Sequence, residues 1–260
     1  MLRAENIEVR LGRTRALNGV SIFARPGEVV AVLGPNGSGK STLMRVMSGE
    51  LAPRRGHVLQ DDRPLGAWPR RELAAHRAVL PQSTAMSFPF RALQVVLLGR
   101  SPHAGMSSHD DDLDIAETAM RETDVTHLAD RVYPTLSGGE QQRVQMARVL
   151  AQVWPAGPNG GARYLLLDEP TSSLDIAHQH SILETARRFA ARGMGVLVVL
   201  HDLNLAAIYA DRLCVLKDGR LVLDGPPEQV LTPDTVRDVF DLSVTVIRHP
   251  TRGWPQLLAN

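Results

Sequence analysis

Three short runs of uninterrupted apolar residues punctuate the chain: VVAVL at 29–33, YLLL at 164–167 and VLVVL at 196–200. A run without polar alternation has no face to give to water. It reads as a strand buried on both sides, the mark of a parallel sheet covered by helices. Each run ends in chemistry: the first at Gly34, the second at Asp168 and Glu169, the third at His201. Ligands of such sheets gather beyond the carboxyl ends of the strands. The three ends are therefore expected along one edge.

The rest of the pattern builds around that sheet. Ile7, Val9 and Leu11 alternate, as do Val20 and Ile22 before the turn Arg25-Pro26-Gly27, so residues 1–28 read as antiparallel strands. A helix with Leu43, Val46 and Met47 on its inner face is expected to stop at Gly49. A strand and turn at 56–64, a short helix opened by Pro69 and a strand at 78–80 lead to Pro81-Gln82. Beyond Gln82 the pattern turns helical to about residue 151, with Leu93, Val96 and Leu97 on one helix and the acidic run Asp110-Asp111-Asp112 starting another. Residues 153–162, rich in proline and glycine, read as a loop. Strands at 164–167, 196–200, 213–215 and 221–223 follow, with a helix near 176–192, a turn at Pro226-Pro227, a helix at 233–240 and a last strand at 244–247. The expectation is one domain over 1–260: an α/β core at 1–82 and 153–260, and an inserted helical lobe at 83–152.

The stretch after the first run is the sharpest chemical signal. Gly34-Pro35-Asn36-Gly37-Ser38-Gly39-Lys40-Ser41-Thr42 is the GxxxxGK[ST] pattern between a strand and a helix. Its glycines let backbone N–H groups curl into an anion nest, and the following helix turns its unpaired N–H groups to the same phosphates. Lys40 adds a charge for the outer phosphates, and Ser41 offers a hydroxyl to Mg²⁺. The site binds a nucleoside triphosphate, and the fold class is an α/β phosphate-loop NTPase core: a mostly parallel sheet flanked by helices, with an N-terminal antiparallel β-region and the helical lobe.

Asp168 and Glu169, neighbours on an extended chain, send their side chains to opposite faces and hold different jobs. Asp168 suits the Mg²⁺ shell. Glu169 suits the γ-phosphate side, where a carboxylate orients or deprotonates the attacking water. The plain alternative is two carboxylates capping the next helix. His201, by itself an ordinary strand-end histidine, gains meaning from its place beside the other two ends, where it can hold the γ-phosphate and the water together.

Ser137-Gly138-Gly139-Glu140 opens a further helix, expected at 141–152. Ser137 and Glu140 have capping-box spacing, and the glycines leave the backbone N–H groups bare. As structure this is a good cap. As chemistry it is a second anion binder that belongs to the helical lobe, away from the strand-end edge. A use for it is the phosphate held by a second copy of the chain, in a two-fold sandwich.

Composition narrows the class. A net charge of +1 over 260 residues argues against nucleic acid as the main partner. A single cysteine, Cys214, excludes an internal disulfide framework and fits a reducing compartment. No apolar run approaches the roughly 18–20 residues of a membrane helix, and the first residues go into a strand pattern rather than a signal peptide. A cytoplasmic protein is expected, unless something holds it at a membrane.

The ordered set GPNGSGKST, Pro81-Gln82, LSGGEQQR at 136–143, LLLDEP at 165–170, Ser173-Leu174-Asp175 and His201 resembles the ATP-binding-cassette ATPases over essentially the whole chain. The resemblance implies ATP and Mg²⁺ as ligands, with Ser41, Gln82 and Asp168 around the metal and Glu169, His201 and Gln82 at the reacting phosphate. It implies that Ser137, Gly138, Gly139 and Glu140 reach the partner subunit's ATP, and that Asp175 couples the two sites of a homodimer. Two transmembrane permease subunits, and through them a periplasmic substrate-binding protein, are the implied partners, at the cytoplasmic face of the inner membrane. The family's aromatic residue for stacking adenine is missing, since Leu11 stands before Gly12; Arg10, Arg13 or Arg15 is left to cover the base.

HDLNLAA at 201–207 resembles the importers of iron-siderophores, haem and cobalamin. SFPF at 87–90, LGRSPH at 98–103 and the loop before LLLDEP most resemble the bacterial haem importer ATPases. Phe88 and Phe90 suit either a groove for a membrane-subunit helix or ordinary lobe packing. His103, His109, His178 and His180 lack ligand spacing, so haem is expected to be seen by the partners rather than by this chain. The rival class is a soluble cassette ATPase of DNA repair or translation, which usually carries a long coiled coil or two cassettes; this chain has neither.

Overall fold

The computed structural model describes residues 1–82, 86, 88–154, 161–172 and 174–260. Ser173, Ser87 of the SFPF stretch and most of the glycine-proline loop before residue 161 lie outside the described residues.

Alternation in the first strands gives the expected antiparallel pair: β1 (Leu2–Leu11) and β2 (Thr14–Ala24) face each other with Leu2 opposite Ala24 and Val9 opposite Leu17. β3 (Val29–Leu33) is buried at every position and runs through the phosphate loop into α1 (Lys40–Met47). β4 (Arg55–Gln60) and β5 (Arg63–Pro64) complete a four-stranded antiparallel sheet in the order β2-β1-β4-β5. α2 (Arg70–His76) then leads into β6 (Arg77–Leu80). At the head of β6, Arg77 donates to the last carbonyls of α1, Met47 O at 2.9 Å and Ser48 O at 2.6 Å. It thereby caps the phosphate-loop helix from behind, at a depth where burial lowers its pKa to about 10.

Three helices follow and pack on one another: α3 (Ala92–Leu98), α4 (His109–Glu122) and α5 (Gly138–Gln152). The acidic run starts α4 as expected, with Ser108 as N-cap and Asp111 closing a capping box. α5 departs from expectation: it begins at Gly138, three residues early. Ser137 Oγ accepts from the N–H of Glu140, and that cap pulls both glycines into the first turn.

The chain returns through β7 (Tyr164–Asp168), α6 (Ile176–Ala191), β8 (Gly195–Val199), α7 (Leu203–Tyr209), β9 (Arg212–Lys217) and β10 (Arg220–Gly225). The central sheet has six strands in the order β10-β9-β3-β8-β7-β6, all parallel except β10. Its two faces bury different side chains of the same strands. Val30, Val32, Tyr164, Leu166, Leu197 and Val199 face the antiparallel sheet and α1. Their neighbours Ala31, Leu33, Leu165, Leu167, Val196 and Val198 join the larger core that includes α3, α5 and α6. Double-sided burial is what the unbroken apolar runs demand.

α8 (Pro227–Val230), α9 (Pro233–Phe240) and a separate hairpin of β11 (Val244–Arg248) and β12 (Pro255–Ala259) close the fold. The strand expected at 244–247 is therefore not the last, and α7 was not expected. Register fixes the site: Val32 lies beside Val199, and Asp168 lies beside Val199 on its other flank. The ends of β3, β8 and β7 are consecutive neighbours, so Gly34, His201 and Asp168 leave the sheet along one edge.

Candidate functional site

The phosphate loop holds its shape through close backbone approaches that only glycine permits. Gly34 has φ +147°, and a Cβ there would press into the Leu216 carbonyl. Gly39, at φ +105°, would put a Cβ 2.6 Å from Ala16 O. Gly39 is also the N-cap of α1 and offers no side-chain acceptor, so the first N–H groups of the helix stay available to an anion. Lys40 is buried beside them. Its Nζ donates to Gly34 O at 2.8 Å and Pro35 O at 3.0 Å, and burial lowers its pKa against the upward pull of Glu169 and Asp168. A phosphate arriving here meets an ammonium already aimed inward by two carbonyls.

The loop forms one wall of an open cleft of about 650 Å³, with Asn36, Gly37, Lys40, Ser41 and Thr42 on its floor and Glu169 at its rim. Leu11, Thr14, Arg15 and Ala16 line it too. Of the three arginines proposed for the base, Arg15 alone lines the cleft, its guanidinium held by Asn18 Oδ1 at 3.0 Å. Arg15 and the half-exposed Leu11 are the surfaces against which a base can lie. The Asp218-Gly219 turn between β9 and β10 also lines the cleft, and Gly219 N donates to Ser38 O at 3.1 Å. That Asp-Gly dipeptide is readable as a hairpin turn; its placement against the phosphate loop is a long-range pairing that the local pattern does not encode.

Around the neighbouring strand ends, Glu169 is the hub. Its Oε1 lies 2.7 Å from His201 Nε2, and its Oε2 accepts from Gln82 Nε2 at 2.7 Å. Three residues from positions 82, 169 and 201 thus meet at one carboxylate. The reason given for Glu169's direction needs correction. The chain is not extended there: Glu169 has φ +50°, left-handed, and Ser172 donates to its carbonyl through both N–H and Oγ. A tight turn straight after the strand, rather than strand alternation, separates the two carboxylates. Asp168 ends β7 with its Oδ1 buried and without a hydrogen-bond partner, and burial raises its pKa, as does the charge of Glu169. An orphaned carboxylate oxygen, with the Ser41 hydroxyl on the cleft floor, is the hard oxygen donor set that Mg²⁺ takes.

Ser137 stands elsewhere. Among the described residues, none of 137–140 lines the cleft. Ser137 N and Oγ both donate to Glu140 Oε2 at 2.8 Å, bonds that hold the Glu140 carboxyl below the usual carboxylate range. Among the described residues a Cβ on Gly138 would meet nothing within 4 Å. α5 reaches back toward the reacting edge through Gln142 Nε2, 3.4 Å from Pro170 O. Its far end is held by Arg100 Nη1 on Ala151 O at 2.7 Å and His103 Nε2 on Gln152 O at 2.8 Å. Cationic or donor groups at the last carbonyls of a helix oppose its dipole favourably.

Asp175 caps α6: its Oδ1 accepts from His178 N at 2.9 Å and sits 2.7 Å from His178 Nδ1. His180 Nδ1 pairs with Tyr209 OH at 2.8 Å. Phe88 is 71% exposed and Phe90 36%.

A phosphate loop, strand-end carboxylates and a serine-glycine helix cap on one six-stranded sheet define a nucleotide-driven ATPase cassette. The ABC transporter family model matches residues 17–172, more than half of the chain, and the chain belongs to that family. It is accordingly an ATP-using ABC ATPase. It is similar to the hemin import ATP-binding protein HmuV of Gloeobacter violaceus, 55% identical over 99% of this chain and 94% of the relative. In structure it is similar to a chain of a proposed metal-chelate type ABC transporter in an inward-facing conformation, with a TM-score of 0.82, 26% identity, and coverage of 100% of this chain and 97% of that one. It is also similar to the dimeric bacterial ABC transporter cassette MJ0796, with a TM-score of 0.74, 28% identity, and coverage of 87% and 98%. Among the described residues no helix is long and apolar enough to cross a membrane.

Proposed function

We propose that this chain is the ATP-hydrolysing motor of a bacterial haem importer, working as a homodimer against two membrane permease subunits at the inner face of the inner membrane. The observation that carries the motor reading is the meeting of Gln82, Glu169 and His201 at the end of the strand beside the phosphate loop. The cargo reading is supported by similarity along almost the whole chain to a hemin import ATP-binding protein.

In this reading the phosphate-loop N–H groups and Lys40 hold the β- and γ-phosphates, and Arg15 and Leu11 flank the base. Ser41, Gln82 and Asp168 would hold Mg²⁺, which would supply positive charge against the outer phosphates. Glu169 takes the proton of the attacking water, and His201 keeps Glu169 and the γ-phosphate in register. The helix cap at Ser137, Gly138, Gly139 and Glu140 addresses the ATP of the partner subunit, and Asp175 links the two sites. Gly138 supports this, because among the described residues nothing stands within 4 Å of where its side chain would be. The exposed Phe88 and Phe90 offer the helical lobe an apolar contact for a permease.

Reconstitution tests the cargo. With its permease in liposomes, the complex should raise its ATPase rate and accumulate haem when the haem-loaded periplasmic protein is added. Stimulation by a ferric siderophore or a cobalamin, with none by haem, would move the chain to the related importers whose HDLN stretch it shares.

A further inference from the structure

β11 and β12 form a two-stranded sheet that pairs with neither larger sheet. A lone hairpin is marginal in water, so its attachment to the body determines whether it persists. Val244 and Leu257 enter the large core from it. The polar attachment is Asn204, in the first turn of α7. Its Nδ2 donates to Leu257 O at 3.1 Å and its Oδ1 accepts from Leu257 N at 2.8 Å. The carboxamide thus pairs with both backbone groups of one β12 residue, Leu257, as a neighbouring strand would, across 53 positions of sequence. Asparagine is suited to this, since it presents a donor and an acceptor side by side on a short stem. The backbone partners fix which end is oxygen and which is nitrogen.

α7 begins two residues after His201. Asp202 caps it, accepting from Asn204 N at 2.7 Å and Leu205 N at 3.0 Å. His201 therefore sits in a link of three residues between two elements. β8 is fixed inside the sheet, and the bond from Leu200 N to Val32 O extends that hold to the residue before His201. α7 has seven residues, too short for its own propensity to hold it in place. Its place depends on outside anchors: Leu203, Leu205, Ala206 and Ala207 pack into the large core, and the polar anchor nearest His201 is the Asn204 pair.

We infer that Asn204 is a positioning residue for ATP hydrolysis: by binding the C-terminal hairpin to the start of α7, it sets where His201 stands relative to Glu169. This rests on the role proposed above for His201. Asn204 is not among the residues lining the cleft, and ATP binding through the phosphate loop should not depend on it.

The test is a double-mutant cycle on the purified full-length chain. Asn204→Ala should lower kcat about ten-fold, the scale of a small misplacement of a catalytic group, while the KM for ATP stays within about two-fold. Asn204→Gln keeps both hydrogen-bonding groups one methylene further out and should give a smaller loss, also in kcat alone; it carries the test should the alanine variant not fold. Thr245→Ala, on the outer face of the hairpin, should behave as the parent. In a His201→Ala background the residual turnover should not fall further on adding Asn204→Ala, because residues acting as one unit are not additive. An Asn204→Ala loss of equal size with and without His201 would overturn the positioning role alone. A His201→Ala variant with parental kcat would overturn the underlying reading of the site.

Discussion

Glu169 and His201 stand 2.7 Å apart, carboxylate to imidazole, at the ends of adjacent parallel strands. Gln82 occupies the other oxygen of the same carboxylate. Each oxygen of Glu169 has a partner that came from a different part of the chain. A water must therefore share or replace one of these bonds to give up its proton there.

Glu169→Gln keeps the size and one acceptor oxygen, turns the other oxygen into an NH2 donor, and loses basicity. Turnover should fall by about 10²–10⁴, the usual range for a general base, while ATP binding survives and a dimer accumulates with ATP trapped in it. Size-exclusion chromatography with ATP, alongside a phosphate-release assay, measures both. Hydrolysis at near the parental rate would remove Glu169 from the role of base.

Gly138→Ala separates stability from function. Among the described residues nothing within 4 Å opposes a methyl there, and the backbone is not left-handed. Replacing glycine in a helix should leave stability unchanged or raise it by up to about 1 kcal/mol. Activity should nevertheless drop steeply if, as proposed, this face addresses the partner's ATP. Thermal melting and ATPase rate, compared on one preparation, decide it; a fully active variant would leave the glycine without a function.

His103 makes the fold acid-sensitive. Burial lowers its pKa, with Arg100 and Arg163 pushing the same way, and the bond to Gln152 O opposes only part of this. A folded pKa below the unfolded value means that the unfolded chain takes the proton first. The stability it contributes is present above about pH 6.5 and is lost as pH falls through the folded value. His103→Gln, which retains a donor for Gln152 O, should flatten the fall in urea midpoint between about pH 7.5 and about pH 5.5. An unchanged fall would show that other groups carry the effect.

Most of the central architecture was legible because its determinants are local. VVAVL, YLLL and VLVVL can bury both faces only in a covered parallel sheet, and Gly34, Asp168 and His201 sit where their strands end. Glu169's left-handed turn was not legible: adjacent carboxylates on a strand suggest alternation, and nothing local says the strand stops between them. The start of α5 was misplaced because two glycines weaken helix propensity, whereas the Ser137–Glu140 cap overrides that by satisfying both ends of the first turn. β12 begins with Pro255 and carries only a brief apolar pattern, so its pairing with β11 and with Asn204 depends on contacts far apart in sequence. Among the base-binding candidates, Arg15 lines the cleft and Arg10 and Arg13 do not; β1 pairs Arg10 directly with Arg15, so alternation along the strands could not choose between them.

The exclusion of Ser137 and Gly138 from the cleft of their own chain has a genetic corollary. If each site takes its phosphate loop from one subunit and its helix cap from the other, Lys40→Ala and Gly138→Ala chains are each silent alone. Brought together, they form mixed dimers in which one site collects both lesions and the other collects none. Co-expression of the two dead alleles should then restore growth on the imported cargo. Two complete sites, each within one chain, would give no such rescue.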